Sequence, residues 1–507
     1  MDEHVTWRWL RRPLPLLRRL AVKPAGQLRT AKTWQVTTGS AAVGLAVAAV
    51  AVTAAGPWDS SGQRTAERRS AASQEAGGGA DHLGFPGTGG PEAAPSAPAV
   101  LAGLGAPARA KPGGKALSEV LGPVLKDRAL GPERSAVVVD VATGKRLYGE
   151  RAGDALTPAS TTKIATAVAA LSAVGPDHRL RTRTVLEPGS RKVVLVGGGD
   201  PTLTARKEGR YVTGFASLRA LADDTARALE KRGTKGRVTL SYDTSRYAGP
   251  AQHPIGPNEN ITPVSALMVD EGRLDDSTSG PAPRGTDPAA DAARKFADLL
   301  RERGVDVKGD PGPAKASARA AKLARTSSPA LSVLVERMLT HSDNDIAEAL
   351  ARETARASGE RPSFDGGARA IRARLKKLDL PLSGAEFADG SGLDREDRLS
   401  ADLLAALLAR AADRDHPELR SAVTGLPVAG FTGTLVDRYP KGSPGTGLVR
   451  AKTGTLTGVN ALAGTVVTAD GRLLAFAFMT TGTTDAVGAQ AALDAMASAT
   501  AACGCAP

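Results

Sequence analysis

The alternation of hydrophobic and polar positions predicts a folded region of mixed helices and strands after residue 116. Short apolar runs bounded by turn residues indicate strands, and apolar residues recurring every three or four positions indicate helices. The predicted strands are 135–141, 146–150, 192–196, 237–242, 447–452, 461–467 and 473–479. The predicted helices are 161–174, 218–231, 288–303, 329–339, 346–356, 367–378, 400–412 and 485–499. Because strands at both ends surround a helical middle, we expect an α+β fold with a sheet assembled from distant segments.

An uncharged apolar segment, residues 36–56, precedes the folded region. As a helix it would be about 31 Å long, which matches the hydrocarbon core of a bilayer. Residues 1–35 before it contain eight basic and two acidic side chains. This asymmetry predicts a transmembrane helix with a basic cytoplasmic tail and the remaining chain outside the cytoplasm. The alternative is a cleaved signal sequence, with Ala46-Val47-Ala48 as one possible cleavage site, and the product would then be secreted.

Residues 57–115 predict a disordered linker, because this segment contains 7 Pro and 12 Gly and few residues able to build a core. The whole chain is nevertheless 41% hydrophobic, which excludes wholesale disorder. Aromatic residues make up only 3% of the chain, so Ala, Val and Leu must supply most of the core.

The formal net charge of +13 is concentrated near the N-terminus, beside the apolar segment. Since no stacking aromatic residues are interleaved in an ordered basic module, anionic lipid is the expected partner and nucleic acid is not. The six histidines are scattered along the chain, which argues against a histidine-based metal site. We therefore expect neither a metal nor a cofactor.

The first candidate for chemistry is Ser160-Thr161-Thr162-Lys163 at the start of a predicted helix. Residues i and i+3 share one helical face, so Lys163 is able to reach Ser160. A serine hydroxyl becomes a good nucleophile when an adjacent base removes its proton, and a neutral lysine amine is such a base. In isolation, Ser160 would be interpreted as an ordinary helix N-cap.

Two further motifs supply polar groups later in the chain. Ser342-Asp343-Asn344 offers a hydroxyl and an amide, and a Ser-x-Asn triplet is expected only about 0.2 times in a chain with 30 serines and 4 asparagines. Lys452-Thr453-Gly454-Thr455 follows at the predicted end of a strand. Its lysine is able to attract a carboxylate, and Gly454 lets a substrate lie close to the backbone. Each motif alone is compatible with an ordinary turn, cap or strand residue.

All three motifs occur once and in the order found in β-lactamases and penicillin-binding proteins. Together with Asp389-Gly390-Ser391-Gly392-Leu393, they make residues 116–500 resemble the D-alanyl-D-alanine carboxypeptidase/endopeptidase family related to penicillin-binding protein 4, serine peptidase family S13. The resemblance implies a transpeptidase-like, serine β-lactamase-like catalytic domain with an inserted module. We expect the catalytic domain at 116–184 and 326–507, and the inserted domain at 185–325.

The resemblance also implies roles for the first two motifs. Ser160 would be the acylated nucleophile and Lys163 its general base. Ser342 would pass a proton to the leaving D-alanine, and Asn344 would hold the substrate amide. The implied substrates are peptidoglycan stem peptides ending in D-Ala, and β-lactam antibiotics would acylate Ser160 as mimics.

In the third motif, the resemblance implies that Lys452 tunes the electrostatics at Ser342 and binds the terminal carboxylate together with Thr453. Gly454 and Thr455 complete the substrate-binding strand. The backbone N–H groups of Ser160 and Thr455 would form the oxyanion hole.

Two alternatives remain open at this stage. The first is a β-lactamase or esterase on the same scaffold, although no Glu-x-x-Asn element of class A β-lactamases occurs between Ser160 and Ser342. The second is a membrane-tethered sensor that binds peptidoglycan or a β-lactam without turnover.

Overall fold

A computed structural model describes residues 117–503, apart from 208–213, 441 and 469. The predicted basic tail, apolar segment and linker, residues 1–115, lie outside the described residues. In the described part of the chain, no helix combines the length and the apolar character needed to cross a membrane.

The helices and strands of the described region alternate along the chain. The helices are α1 (Leu117–Leu125), α2 (Thr162–Val174), α3 (Leu218–Lys231), α4 (Pro288–Arg301), α5 (Leu331–His341), α6 (Asn344–Ala357), α7 (Phe364–Lys377), α8 (Ala401–Ala412), α9 (Ser421–Thr424) and α10 (Ala486–Ala502). The strands are β1 (Glu133–Asp140), β2 (Arg146–Glu150), β3 (Ala155–Leu156), β4 (Arg181–Leu186), β5 (Lys192–Val196), β6 (Val238–Asp243), β7 (Val307–Pro313), β8 (Ala321–Ser327), β9 (Leu399–Ser400), β10 (Val449–Leu456), β11 (Val459–Val467) and β12 (Leu473–Thr481).

The first large sheet is antiparallel and joins both ends of the described chain in the order β10-β11-β12-β1-β2. Alternate residues point to opposite faces, so each face has its own core. On one face Val137 and Ala477 pack against a cluster that includes the buried helix α2. On the other face Val138 and Phe476 pack against α1 and α10. The strand β10 lies at the edge of this sheet, next to the start of α2.

The second large sheet has the order β7-β6-β5-β4-β8. Its strands β5, β6 and β7 are parallel, whereas β4 is antiparallel to β5 and β8. The helices α3 and α4 cover one face through a core that contains Leu195, Leu240 and Phe296. The strands of this sheet extend from residue 181 to residue 327, a few residues beyond each end of the predicted insertion.

The predicted end of the third-motif strand is wrong, because β10 continues to Leu456 and contains all of Lys452-Thr453-Gly454-Thr455. β-branched Thr453 and Thr455 favour a strand, and Gly454 within it marks a close backbone approach. Three strands of the second sheet, β4, β7 and β8, and the helix α1 were not predicted. In β7, two prolines and two glycines hide the strand, since both residue types are depleted in strands.

Candidate active site

Ser160 lies in the short 3-10 segment Ala159–Thr161 that leads into α2. Ala159 has a φ of 48°, in the left-handed region that costs energy for a residue with a side chain. The backbone of Gly392 packs closely against Ala159, since a Cβ on Gly392 would lie only 2.0 Å from the Ala159 carbonyl oxygen. This contact stabilises the strained conformation. Since α2 is buried from Thr162 onwards, the half-buried Ser160 is mounted on a rigid element.

The fully buried Lys163 donates hydrogen bonds to three oxygen atoms. Its Nζ lies 2.9 Å from Ser160 Oγ, 2.6 Å from Asn344 Oδ1 and 2.6 Å from the Ser391 carbonyl oxygen. Burial lowers the pKa of Lys163 to about 8, although nearby carboxylates, with Asp389 the foremost, oppose this shift. The neutral amine is thus far more available close to neutral pH than in an ordinary lysine, and it lies within reach of the Ser160 hydroxyl.

Ser342 and Asn344 lie at the junction between α5 and α6. Ser342 ends α5 with a φ of 58°, a left-handed conformation. Asp343 then caps α6, as its carboxylate accepts a hydrogen bond from the Ile346 N–H at 3.0 Å. The tight reversal brings the Ser342 hydroxyl and the Asn344 amide to the same cleft.

Lys452 approaches Ser342 from β10. Its Nζ donates to Ser342 Oγ at 2.9 Å and to the Thr453 carbonyl oxygen at 2.7 Å. Burial and the positive charge of Lys163 lower the pKa of Lys452 well below its usual value. The two lysines thus share one buried region, where the charge of Lys163 disfavours protonation of Lys452.

The third motif forms a wall beside Ser160. A Cβ on Gly454 would lie 2.6 Å from the Pro158 carbonyl oxygen, so only glycine lets β10 pack this closely against the segment before Ser160. Thr453 on the same strand is half-buried, and its hydroxyl lies 2.9 Å from that of Thr434. Thr455 is exposed.

These groups face one cleft of about 310 Å³. Its lining includes Ser160, Ser342, Asn344, Thr453 and Thr455, and the two buried lysines reach it by their hydrogen bonds to Ser160 and Ser342. A larger cavity of about 690 Å³ lies between α3 and residues 303–306, which follow α4, but none of the predicted site residues lines it. The three distant motifs therefore converge at the smaller cleft, where hydroxyl, amine and amide groups meet.

A profile of the D-Ala-D-Ala carboxypeptidase 3 (S13) family matches residues 117–285 and 275–503. The chain belongs to this family. Among the relatives of this S13 chain, carboxypeptidase DacB of Mycolicibacterium smegmatis is 36% identical over 381 residues, which cover 73% of this chain and 80% of the relative. The D-alanyl-D-alanine carboxypeptidase of Actinomadura sp. strain R39 is 31% identical over 464 residues, covering 76% and 85%.

The fold of this S13 chain is also similar to that of solved structures. The crystal structure of penicillin binding protein 4 from Haemophilus influenzae matches with a TM-score of 0.61 and 22% identity, over 75% of this chain and 97% of that protein. The predicted penicillin-binding, β-lactamase-like α+β fold is confirmed. With the family and its relatives shown, the chain is a serine-type D-Ala-D-Ala carboxypeptidase.

Sequence reasoning missed two backbone groups in this S13 site. The Asn260 carbonyl oxygen accepts a hydrogen bond from Asn344 Nδ2 at 2.9 Å, and the Ser391 carbonyl oxygen binds Lys163. The only available signal was the Asp389-Gly390-Ser391-Gly392 stretch, which pointed to the loop but not to the carbonyl. Side-chain identity carries little information about which backbone oxygen faces a site.

Asp389 organises that loop. Its Oδ1 accepts the N–H groups of Ser391 at 2.9 Å and Gly392 at 2.6 Å, and its Oδ2 lies 3.1 Å from Nε2 of the buried His253. The Ser391 hydroxyl donates a hydrogen bond to the same carboxylate. His253 lies between β6 and β7 of the second sheet, so its contact with Asp389 links that part of the chain to the loop that binds Lys163.

The described region contains two buried clusters of three residues whose oxygen or nitrogen atoms lie close enough together to bind one cation. The first is His253, Glu348 and Asp389, and the second is Glu271, Asp343 and Asp345. Residues of both clusters already have partners within the protein. Glu271 is paired with Arg273 at 2.8 Å, and Asp345 with Arg284 at 2.8 Å. Asp389 accepts the loop N–H groups described above. We therefore assign a structural role to both clusters.

Proposed function

We propose that this S13 enzyme removes the terminal D-Ala from peptidoglycan stem peptides, and cleaves D-Ala cross-links as an endopeptidase, through an acyl-enzyme on Ser160. The observation that carries the proposal is the 2.9 Å contact between Lys163 Nζ and Ser160 Oγ within a cleft that Ser342, Asn344 and β10 also line. A hydroxyl beside an amine of lowered pKa is the arrangement that nucleophilic catalysis needs.

In the acylation step, neutral Lys163 takes the proton of Ser160 while Oγ attacks the carbonyl carbon of the penultimate D-Ala. The negative charge that develops on the carbonyl oxygen would be held by the backbone N–H groups of Ser160 and Thr455. One such donor typically supplies about 2.7–4 kcal/mol of transition-state stabilisation. Asn344 would hold the substrate amide near the bond that breaks.

Departure of the terminal D-Ala requires a proton on its nitrogen. Ser342 is suited to pass this proton, because its hydroxyl accepts a hydrogen bond from Lys452 at 2.9 Å. Lys452 and Thr453 would bind the terminal carboxylate, and the negative charge of that group would favour the ammonium form of Lys452. Water then hydrolyses the acyl-enzyme and frees Ser160.

By the same chemistry, β-lactams would acylate Ser160 as mimics of the D-Ala-D-Ala end of the substrate. This part of the proposal is supported by the fold of Haemophilus influenzae penicillin binding protein 4, which has been solved in complex with a β-lactam. Fluorescent penicillin should label the wild-type enzyme, and Ser160→Ala should abolish the labelling. Equal labelling of the two proteins would show that Ser160 is not the nucleophile.

A second assay separates peptidase from sensor and from β-lactamase. Purified enzyme is incubated with a stem pentapeptide ending in D-Ala-D-Ala and with a D-Ala cross-linked dimer, and the products are measured by mass spectrometry. We expect release of one D-Ala from the pentapeptide, cleavage of the dimer and slow penicillin hydrolysis. Labelling without peptide turnover would favour the sensor, and rapid penicillin hydrolysis would favour the β-lactamase.

We also propose that the catalytic domain works outside the cytoplasm, where peptidoglycan lies. The support is the basic 1–35 segment followed by the uncharged 36–56 segment, which fits a membrane anchor or a signal sequence. Membrane fractionation with an antibody to the catalytic domain tests this. Recovery in the membrane indicates an anchor, recovery in the medium indicates cleavage, and recovery only in the cytoplasm contradicts both.

A further inference from the structure

The second sheet has one face that no helix of the described region covers. The helices α3 and α4 pack on the face that carries Leu195 and Leu240. On the opposite face, Val185, Val194 and Val196 form a small cluster, and the hydrophobic residues packed against it are Ala316 and Ala320 of the β7–β8 connection. The rest of this face is therefore open to solvent.

Five basic residues share this open face, which we call the basic face. They belong to the strands β4, β5 and β8: Arg181, Arg183, Lys192, Lys322 and Arg325. The pairing register fixes their side, because directly opposite residues point to the same face. Arg183 is opposite both Val196 and Arg325, and Lys322 is opposite Val185. All of these basic residues are exposed except Lys192, which is half-buried.

No carboxylate of the described region neutralises these five side chains by an ion pair, and none of the five donates a side-chain hydrogen bond there. Two acids adjoin these strands, Asp243 and Glu187, and Asp243 interacts electrostatically with Arg183, so five cations face two carboxylates. Asp243 accepts the N–H groups of Ser245 and Ala316, each at 2.8 Å, and Glu187 accepts that of Ser317 at 2.8 Å. The basic face thus keeps an excess of positive charge.

The arrangement has a cost for the fold. Arg183 and Arg325 lie directly opposite each other, and like charges in such pairs destabilise a sheet. The charges on β8 have a simple explanation, because β8 is an edge strand and basic side chains there prevent pairing with the edge strand of another molecule. It does not explain Arg181 and Arg183, since β4 lies between β5 and β8. Binding of an anionic ligand by the basic face would explain the basic residues on both β4 and β8.

We propose that the basic face binds a linear polyol-phosphate polymer of the cell envelope. Residues i and i+2 of a strand are about 6.6 Å apart, and opposite residues about 5 Å apart, so the guanidinium groups form a ladder on which successive phosphates of an extended chain can be bound. Arginine binds phosphate through two parallel hydrogen bonds. An open face with several cations favours a polymer over a single phosphate, because each further contact adds avidity.

Two other anionic partners fit the basic face less well. The exposed large apolar residues of the described region all lie outside β4, β5 and β8, so this face has nothing to insert into a membrane. No exposed aromatic residue lies on these strands to stack on nucleic-acid bases. None of the five basic residues lines the catalytic cleft. The inference therefore goes beyond the proposed peptidase function, and it rests on the proposed location of the catalytic domain outside the cytoplasm.

The test uses the full chain and fluorescently labelled poly(glycerol phosphate), with binding followed by anisotropy at several salt concentrations. The test variant is Arg181→Gln/Arg183→Gln/Arg325→Gln. The control variant, Lys376→Gln/Lys377→Gln/Arg414→Gln, removes the same charge from exposed residues of the catalytic domain. We expect the test variant to weaken binding at least about tenfold and to reduce the slope of log affinity against log salt by about two, since each phosphate contact contributes about 0.7–0.9. The control should bind like the wild type.

Each other outcome contradicts the inference. Equal binding by all three proteins, or an equal loss in both variants, means that net charge and not the basic face attracts the polymer. Loss of binding to phosphatidylglycerol vesicles with unchanged polymer binding means that the partner is a membrane. Penicillin labelling should be unchanged in both variants, which verifies folding. If penicillin does not label the triple variant, the double variant Arg183→Gln/Arg325→Gln replaces it. This variant removes the opposed pair, and we again expect weaker polymer binding and a smaller salt dependence.

Discussion

At the scale of single residues, the proposed mechanism makes the reactivity of Ser160 depend on the protonation state of Lys163. Lysine accepts the Ser160 proton only as the neutral amine, and burial lowers its pKa to about 8. We predict that the second-order rate of acylation by penicillin rises with pH and reaches half of its plateau near pH 8. Stopped-flow labelling from pH 6 to pH 10, corrected with Ser160→Ala, measures this. A rate that stays level or falls across the range contradicts the role of Lys163.

At Ser342, the contribution of the hydroxyl to acylation can be measured without disturbing the left-handed backbone conformation. Its φ of 58° suits glycine, so Ser342→Gly removes the hydroxyl without adding strain. We predict that this variant keeps the wild-type melting temperature or exceeds it. Its acylation rate should fall about 10²–10⁴-fold, the range typical of a lost proton-transfer group. An unchanged rate would mean that the leaving group receives its proton from elsewhere.

The site residues that sequence analysis found are those with reactive side chains. Ser160, Lys163 and Lys452 each belong to a motif that occurs once, so their pattern was visible without a structure. The Ser391 carbonyl oxygen was not predictable, because every residue has one and this one lies 228 positions from Lys163 in the chain. Only tertiary folding selects which carbonyl approaches the amine.

At the scale of elements, the approach of β10 to the start of α2 depends on Gly454. We predict that Gly454→Ala lowers stability by about 1–3 kcal/mol, as overpacking usually does, because the new Cβ would lie 2.6 Å from the Pro158 carbonyl oxygen. Acylation should fall as well, since β10 must move away from Ser160. Thermal unfolding and penicillin labelling measure the two effects.

Gly122 provides the matched control for that variant. It lies within α1, and a Cβ added there meets no atom within 4 Å. Gly122→Ala should leave labelling unchanged and stabilise the protein by up to about 1 kcal/mol, because alanine favours a helix over glycine. If the two glycine variants behave alike, the tight packing of β10 against the nucleophile segment has no functional importance.

Sequence patterns located most of the helices and the strands with apolar runs, and they missed strands rich in polar, Gly or Pro residues. The predicted range 146–150 coincides with β2, and the predicted helix 161–174 differs from α2 by one residue. The edge strand β7 escaped because its Gly and Pro residues contradict strand propensity, while the parallel neighbour β6 fixes it in place. Tertiary pairing therefore overrode local preference at this sheet edge.

At the scale of the whole molecule, buried ion pairs join the segment between residues 181 and 327 to the catalytic helices. Arg284 binds Asp345 of α6 at 2.8 Å, and both side chains are nearly inaccessible. We predict that Arg284→Ala lowers stability by about 3–5 kcal/mol, because it leaves a buried carboxylate without its partner. Acylation should also slow, since Asp345 follows Asn344. Thermal unfolding and penicillin labelling test both expectations.

The pH dependence of that loss follows from the carboxylate. Burial raises the pKa of Asp345 to about 7 despite Arg284, so the group is largely protonated at pH 5 and needs little compensation there. The destabilisation by Arg284→Ala should therefore be larger at pH 8 than at pH 5. In Arg284→Met/Asp345→Leu, which removes both charges, much of the stability should return. A loss that is equal at both pH values would exclude the Asp345 charge as its cause.

The arrangement of the whole chain was only partly accessible from sequence. Ser160 and Ser342 are 182 positions apart, and this separation indicated an insertion between them. It could not indicate that Asn260 and His253 of the intervening segment reach back to Asn344 and Asp389. Such contacts depend on how the second sheet docks, which no local pattern encodes.

The central claim is that Ser160 carries the acyl group. Its most direct test is peptide mapping by mass spectrometry after the enzyme has been quenched during reaction with penicillin. We predict one adduct of the mass of the intact antibiotic, on the peptide that contains Ser160, and none after the Ser160→Ala change. An adduct on a different residue, or one that persists in the variant, would contradict the account.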